Sequence, residues 1–195
     1  IKQLGELFEG KGYNPVIGTI YKQHEKWVNW YRWEVNDFHY YTIKTTGGSS
    51  IDKKKPSLQM AKKVCEDASA LVWNEKSEIL VENDNAQEVL NNVLENNYFD
   101  NEIGTFVELT NMYGTGVIIE YKSEGKTKIN FSYGNGIMVL SYENTTPTEI
   151  LVIQEFQKNK LYYTHLTMHL YKDGIYTIEH EMYSSKKQGQ LGDKA

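Results

Sequence analysis

The segment SLQMAKKVCEDASALVWNEKSEILV, residues 57–81, decides the fold that this sequence predicts. Its first part spaces apolar residues three and four apart, which brings their side chains to one side of an α-helix. We therefore predict an amphipathic helix that buries this side, begins within one or two residues of Ser57, and uses the Ser57 hydroxyl as its cap after Pro56. A short strand over residues 78–82 is expected to follow directly. The apolar side of the helix consists of Ala61, Val64, Cys65, Ala68, Leu71 and Val72.

Helical patterns lie on both sides of this segment. Before it, we predict a short helix near residues 3–9 and an amphipathic helix over Ile17–Trp33. After it, polar residues 83–85 are expected to cap a helix that ends at Asn96 and Asn97, and a further helix over about residues 100–113 should stop at Gly114. Between these groups we expect a short strand at Tyr40–Ile43, a flexible turn at residues 45–50, and the basic run Lys53–Lys55 in a solvated loop.

The second half of the chain has the pattern of β-structure. Runs rich in Val, Ile, Tyr, Thr and Phe alternate with turn residues at roughly eight- to twelve-residue intervals, which is typical of an antiparallel meander. Asp173-Gly174 and Gly134–Gly136 are predicted hairpin turns, and residues 184–195 are expected to leave the sheet. The fold class is therefore α+β, with N-terminal helices packed on a C-terminal antiparallel β meander. The predicted strands are residues 116–122, 126–133, 136–143, 149–158, 161–172 and 175–183.

Composition excludes several function classes. A chain of 195 residues buries about 70% of its unfolded surface, so it needs no disulfide or metal to fold. Lys and Arg number 21 against 26 Asp and Glu, and the net charge of −5 disfavours tight DNA binding. Cys65 is the only cysteine and is expected to be a buried structural thiol, which excludes a disulfide framework and a multi-cysteine zinc site. Since no membrane segment or signal peptide is recognisable, we expect a soluble intracellular protein.

Residues with catalytic or metal-binding chemistry form no recognisable motif. His165 and His169 fall on one predicted strand about 13 Å apart, which is too far for both to bind one ion, although His180 on the next strand leaves a three-dimensional site open. Gly114–Gly116 lacks the context of a phosphate loop and is expected to be a helix stop. The many strand carboxylates show no paired-acid spacing. We therefore predict no enzyme activity, no catalytic residue, no cofactor and no metal.

Aromatic residues are the compositional anomaly. The chain has 4 Trp and 15 Tyr, and many of these rings are concentrated near the N-terminus. Trp27 and Tyr31 share the apolar face of the predicted helix, which makes them core candidates. Trp30 and Trp33 lie off that face, so they need either a second packing layer or a partner subunit. Because aromatic rings are enriched at protein interfaces, Trp30 and Trp33 are the candidate interface with a partner subunit.

Taken in order, these elements resemble the N-terminal part of portal proteins from tailed phages with long non-contractile tails. The resemblance runs from Trp27 to Gly192, and thus over nearly the whole chain. No one of its motifs is specific, but they occur in the family's order. The motifs are the WxxWY patch (Trp27, Trp30, Tyr31), the basic stretch Lys53–Lys55, the segment Ser57–Lys76, the helix ending in ENNYF (Glu95–Phe99), the helix closing on YGTG (Tyr113–Gly116), and the meander ending near Tyr183.

The resemblance implies a structural role. Portal subunits form a ring of about twelve copies at one capsid vertex of the virion, assembled in the host cytoplasm, through which double-stranded DNA is packaged and ejected. Terminase, scaffolding, capsid and head-completion proteins are the implied partners, with no membrane. Residues 1–195 resemble the outer wing region, in which residues 1–56 are a lead-in with the aromatic helix and loop, 57–115 the helical part, 116–183 the meander, and 184–195 an extension toward the stem.

Two other function classes stay open. A tyrosine-rich meander preceded by helices is also compatible with an extracellular module that binds ligands, for example sugars, by aromatic stacking. A hydrolase or metal enzyme requires that His165, His169 and His180 converge, or that two carboxylates pair. A monomeric state that binds a ligand favours the module, whereas a closed ring favours the portal.

Overall fold

The computed structural model describes residues 2–13, 15, 18–172 and 174–195. Ile17, predicted to begin the second helix, and Asp173 of the last predicted hairpin turn lie outside the described residues. The fold is α+β, as predicted, with helices before the larger sheets. The helices are α1 (Lys2–Gly10), α2 (Gly18–Tyr31), α3 (Asn36–His39), α4 (Met60–Val72), α5 (Asp84–Asn96) and α6 (Phe99–Tyr113). The strands are β1 (Tyr40–Lys44), β2 (Ser50–Lys54), β3 (Gly116–Ser123), β4 (Lys126–Tyr133), β5 (Ile137–Glu143), β6 (Thr146–Lys158), β7 (Leu161–Lys172), β8 (Ile175–Ser185) and β9 (Asp193–Lys194).

The chain divides into two compact units. Residues 1–22 and 134–195 form the first, here called the sheet unit, and residues 23–133 form the second, the helical unit. The sheet unit holds one five-stranded antiparallel sheet in the order β5-β6-β7-β8-β9. The helical unit holds two separate hairpins, β1-β2 and β3-β4.

One face of the five-stranded sheet and helix α1 enclose the core of the sheet unit. Leu4 and Phe8 of α1 pack against alternate residues of the central strands, because successive side chains of a strand point to opposite faces. The β6-β7 and β7-β8 hairpins occur as predicted, with Leu151 opposite Met168 and Leu166 opposite Glu181. The buried members of this core are Leu4, Phe8, Met138, Leu140, Leu151, Leu166, Met168, Leu170 and Tyr183.

Residues 184–195 do not leave the sheet, so this prediction is wrong. The tail turns back, and Asp193 and Lys194 pair with Ser184 and Tyr183 of β8 as strand β9. Gly192 makes the turn possible with φ +69°, and a Cβ at this position would collide with the Ser184 carbonyl group. Polar contacts that the sequence pattern does not reveal hold the tail, including a hydrogen bond from the Leu191 amide to Gln3 Oε1 (3.1 Å).

Helix α6 is the centre of the helical unit. Its buried residues Phe99, Ile103 and Phe106 contact Phe131 of β4 and Trp73 beyond α4, among others. The helix ends at Gly114, whose φ of +73° is the left-handed conformation expected of a C-terminal cap. Helix α5 also begins as predicted, because the Asn83 side chain accepts a hydrogen bond from the Ala86 amide.

Helix α4 departs from prediction at its start. It begins at Met60, with Gln59 in a left-handed conformation (φ +49°) at the cap position and no side-chain cap bond. Ser57 is therefore not the cap, although its hydroxyl accepts a hydrogen bond from the Gln59 amide (3.1 Å). That bond stabilises a turn within residues 57–59 instead of the first helical turn.

Three strand predictions also need correction. Residues 78–82 form no strand, because no partner strand lies beside them within the described chain. Residues 50–54, expected as turn and solvated loop, form β2, which pairs with β1 through register pairs such as Thr42 and Asp52. Gly134–Gly136 is a short 3-10 turn between two sheets and not a hairpin turn, so the predicted single meander is divided between β3-β4 and β5–β9.

Candidate functional site

The apolar side of α4 faces solvent, contrary to its predicted burial. Leu71 is 83% exposed, Val72 63% and Val64 61%, and Ala61 is exposed as well. Met60, in the first turn, extends this exposed side toward the N-terminus of the helix. Only Cys65 and Ala68, near one margin, are partly buried. We call the exposed residues Met60, Ala61, Val64, Leu71 and Val72 the α4 apolar stripe.

A polar residue takes the buried position on α4. Ser69 is the buried residue of the helix, and its hydroxyl donates a hydrogen bond to the Gly104 carbonyl of α6 (2.6 Å). The charged residues of this helix pair with one another in the ion pairs Lys62–Glu66 (3.6 Å) and Lys63–Asp67 (2.9 Å). The helix therefore packs on α6 through its polar margin and leaves its most apolar residues without a partner inside the described chain.

An aromatic pocket adjoins the stripe in the helical unit. Its volume is roughly 380 Å³, and its walls come from α2, α4 and the end of α6. Trp27, on α2, is 41% exposed, so one of the two core candidates of this helix is not buried. The pocket is lined by Trp27, Trp30, Tyr31, Ala61, Cys65 and Met112, among others. Since Ala61 belongs to both, pocket and stripe form one apolar surface.

The titratable groups at this pocket are held in their neutral forms. Burial and a hydrogen bond donated to Glu108 raise the pKa of the Tyr31 hydroxyl. Burial and the nearby Glu108 and Glu66 carboxylates raise the pKa of the Cys65 thiol. A thiol with a raised pKa stays protonated near neutral pH and is a poor nucleophile. The chemistry of this surface therefore suits apolar contact and not covalent catalysis.

Trp30 and Trp33 pack against a second layer of residues, which is one of the two alternatives that the sequence predicted. Trp30 is 36% exposed and contacts the rings of Phe38 and His39 on α3. Lys54 of β2 places its ammonium group 4.2 Å from the centre of the Trp33 ring, a cation–π contact. The Trp33 indole N–H is buried and has no hydrogen-bond partner among the described residues. Their role as subunit or capsid interface stays a prediction.

The histidines of the sheet unit lie on the face opposite its core. His165 Nε2 and His180 Nδ1 are 3.2 Å apart, and Thr167 Oγ1 lies 3.3 Å from the same His180 nitrogen. His169 instead pairs through Nδ1 with the Tyr176 hydroxyl. His165 and His180 are thus in contact, because His180 lies on the strand next to that of His165. Within the described residues, no group of three or more His, Cys, Asp or Glu side chains is arranged to hold a metal ion.

The strand carboxylates serve structural contacts. Glu149 is buried and accepts hydrogen bonds from the Ser141 hydroxyl (2.9 Å) and the Tyr171 amide (3.3 Å). Glu181 contacts Lys11 (2.7 Å) and Lys194 (2.8 Å). Each of the two carboxylates is thus engaged by donors, not by a second acid.

None of the described helices has the length and apolar character that crossing a membrane requires. Comparison with family models, curated proteins and solved structures finds no match to this chain. Function must therefore be inferred from the surfaces themselves.

Sequence reasoning missed the surface that stands out most. The α4 residues were identified as an apolar face, but as core. Leu58, which is 84% exposed, was not singled out, because an isolated leucine gives no periodic signal. Leu80, which is 75% exposed, was expected only as part of the strand over residues 78–82. Apolar side chains exposed next to one another along a helix are typical of a protein contact surface. The most this arrangement can do chemically is bind apolar groups of a partner.

Proposed function

We propose that this chain is a structural, non-catalytic subunit of a phage portal, the ring at one capsid vertex through which double-stranded DNA is packaged and ejected. The α4 apolar stripe is the observation that supports it. An assembling subunit needs apolar surface that stays exposed in the single chain and becomes buried in the ring. The order of sequence motifs from Trp27 to Gly192 is the reason to prefer a portal over other assemblies.

The energetics of the stripe favour association. Burying one Leu or Val side chain contributes about 1.5–3 kcal/mol, so several such residues contribute enough to hold two subunits together. A ring uses head-to-tail contacts, in which one patch of each copy meets a different patch of the next. We infer that the α4 apolar stripe contacts the neighbouring subunit, while Trp30 and Trp33 contact a neighbour or the capsid.

The remaining partners follow from the portal role. Terminase and scaffolding proteins dock on the ring during assembly in the host cytoplasm, and head-completion proteins dock afterwards in the virion. The net charge of −5 supports weak contact with passing DNA, since a chain with excess negative charge does not attract phosphate groups overall.

A pair of neighbouring substitutions tests the role of the stripe. Leu71→Glu places a charge within the stripe, whereas Ala70→Glu places the same charge at an exposed position on another side of α4. In the gene product expressed in full, we expect closed rings of about a dozen copies for the wild type and for Ala70→Glu. We expect Leu71→Glu to remain largely monomeric, because association would bury an unpaired carboxylate.

Light scattering and electron micrographs of the purified particles give the measurement. Both variants should unfold at the wild-type temperature as single chains, because both side chains project into solvent. A stable wild-type monomer contradicts the portal proposal. Equal assembly of the two variants contradicts the assigned surface.

The aromatic pocket favours a second candidate, the ligand-binding module. Trp27, Trp30 and Tyr31 offer the ring surfaces on which a planar or sugar ligand stacks. Such a module functions as a monomer, so the same scattering measurement separates it from the portal.

A further inference from the structure

The outer face of the five-stranded sheet carries His165 and His180 on adjacent strands. His180 lies opposite Thr167 in the β7-β8 register, one diagonal step from His165. The planes of the two imidazole rings are nearly parallel, with an interplanar angle of 14° and ring centres 5.2 Å apart. The ring nitrogens that face each other, His165 Nε2 and His180 Nδ1, are separated by 3.2 Å.

The surroundings of this histidine pair are uncharged. The side chains on this face of β6, β7 and β8 come from residues 150–156, 163–171 and 176–184, at alternate positions. Within these described ranges, the outward positions hold no Asp, Glu, Lys or Arg. They are Ile150, Val152, Gln154, Phe156, Tyr163, His165, Thr167, His169, Tyr171, Tyr176, Ile178, His180, Met182 and Ser184. On these three strand segments, no ammonium group and no ion pair lies on the face that carries the histidine pair.

The nitrogen separation matches the bite of a chelating pair. Zinc binds imidazole nitrogen at about 2.0–2.1 Å in tetrahedral geometry, which sets two ligand nitrogens about 3.3 Å apart. The observed 3.2 Å requires almost no change in that separation. The rings need only rotate so that both lone pairs converge on the ion. One ring also moves its N–H proton to its other nitrogen, a tautomer change that keeps it neutral.

We propose that His165 and His180 form a binding site for one divalent ion of the imidazole-preferring class, such as Zn²⁺, Ni²⁺ or Cu²⁺. Imidazole suits these ions, whereas Mg²⁺ and Ca²⁺ prefer oxygen ligands. The two nitrogens occupy two coordination positions, and water occupies the others at this accessible face. Thr167 Oγ1, which lies 3.3 Å from the same His180 nitrogen, gives up this contact when the nitrogen binds the ion. The site does not depend on the proposed portal function.

Isothermal titration of the metal-free chain with Zn²⁺ in a non-coordinating buffer near neutral pH tests the site. We expect one ion per wild-type chain. His165→Gln and His180→Gln should each weaken binding by at least about tenfold, the lower end of what loss of even an outer-shell partner causes. His169→Gln is the matched control, since this histidine lies on the same strand face but pairs with Tyr176, and it should bind as the wild type does. Cys65→Ser excludes the thiol as ligand and should also bind normally.

Ring signals of the histidines in nuclear magnetic resonance spectra of the wild type give a measurement that needs no variant. Zn²⁺ should shift the signals of His165 and His180 before that of His169. The proposal is overturned if the wild type binds no ion, or if His165→Gln and His180→Gln bind as tightly as the wild type. It is also overturned if His169→Gln or Cys65→Ser loses binding to the same extent as His165→Gln.

Discussion

Gly116, the first residue of β3, shows how closely α6 approaches the following hairpin. A Cβ at this position would collide with the Thr110 hydroxyl and lie 2.9 Å from atoms of the Phe106 ring. Phe106 belongs to the core of the helical unit, and Thr110 Oγ1 is buried, with no hydrogen-bond partner among the described residues. Neither side chain can move without disturbing packed neighbours. Gly104, inside α6, is the opposite case, because nothing lies within 4 Å of its Cβ position.

These two glycines give opposite predictions for the same substitution. Gly116→Ala should lower the free energy of unfolding by about 1–3 kcal/mol, because it overpacks the core. Gly104→Ala should raise it by about 0.5–1 kcal/mol, since alanine favours a helix interior. Urea unfolding followed by tryptophan fluorescence is the measurement, and all 4 Trp lie in the helical unit. Equal effects of the two substitutions would contradict the assigned packing.

Features set by neighbouring residues in the chain were predictable. The Asn83 cap and the Gly114 stop each depend on a few adjacent residues, and both occur where the sequence placed them. The left-handed conformations of Gln59 and Trp33 were not predictable, because non-glycine residues adopt them only when the surrounding structure holds them there.

At the scale of single elements, the sequence of α4 predicted a helix but not which side it buries. Apolar periodicity indicates that a face needs cover, yet it does not say whether the cover comes from the same chain. The Ser69–Gly104 hydrogen bond fixes the helix on α6 by its polar margin. Ser69 carries no apolar signal, so reasoning from hydropathy could not identify it as the contact point. The apolar residues of the candidate surface were therefore identified correctly from the sequence, but the prediction that they are buried was wrong.

After α4, a glutamine side chain bonds to the backbone of residues 79 and 81 at the place where a strand would need a neighbouring strand. Gln87 of α5 accepts a hydrogen bond from the Val81 amide at Oε1 (2.8 Å) and donates one from Nε2 to the Ile79 carbonyl (3.0 Å). These are the two kinds of bond that a neighbouring strand supplies. The segment predicted as a strand is thus held by one glutamine side chain and not by a ladder of backbone hydrogen bonds.

Gln87→Ala should release this segment while leaving α5 intact. We expect the Val81 amide to lose protection from hydrogen exchange, and the unfolding free energy to fall by about 0.5–1.5 kcal/mol. Asn91→Ala is the matched control, because it removes only the bond between Asn91 and the Gln87 side chain and leaves both backbone bonds in place. Retained protection of Val81 in Gln87→Ala would show that other contacts hold the segment.

For the whole molecule, the number of strands was easier to predict than their arrangement. Each of the six predicted C-terminal strands occurs, but Gly134–Gly136 separates β4 from β5, and β9 closes the edge of the larger sheet. Pairing depends on contacts distant in sequence, which alternation of apolar residues does not encode. Gly134 also begins the second part of the sheet unit, in which the N-terminal residues 1–22 join the last five strands.

Glu181 joins the two ends of the chain within the sheet unit. Its carboxylate accepts hydrogen bonds from Lys11, just after α1, from Lys194 of β9, and from the Tyr183 hydroxyl (3.0 Å). Burial alone would raise the pKa of Glu181, but the bonds from Lys11, Lys194 and Tyr183 outweigh burial and lower this pKa to about 2. The folded chain therefore binds a proton at this carboxylate less readily than the unfolded chain, whose ordinary value is 4.5.

This difference in the pKa of Glu181 between the folded and the unfolded chain determines how stability changes as the pH falls. The stabilisation is fully present above pH 4.5 and is lost as the pH falls through about 2, because protonation breaks both lysine contacts. Glu181→Gln should remove up to about 3 kcal/mol of stability near neutral pH and flatten the acid dependence. Hydrogen exchange of the β8 and β9 amides is the measurement, and Glu179→Gln, an exposed neighbour on β8, is the matched control. An unchanged acid profile in Glu181→Gln would mean that the ends of the chain are held by other contacts, such as Gln3 with Leu191.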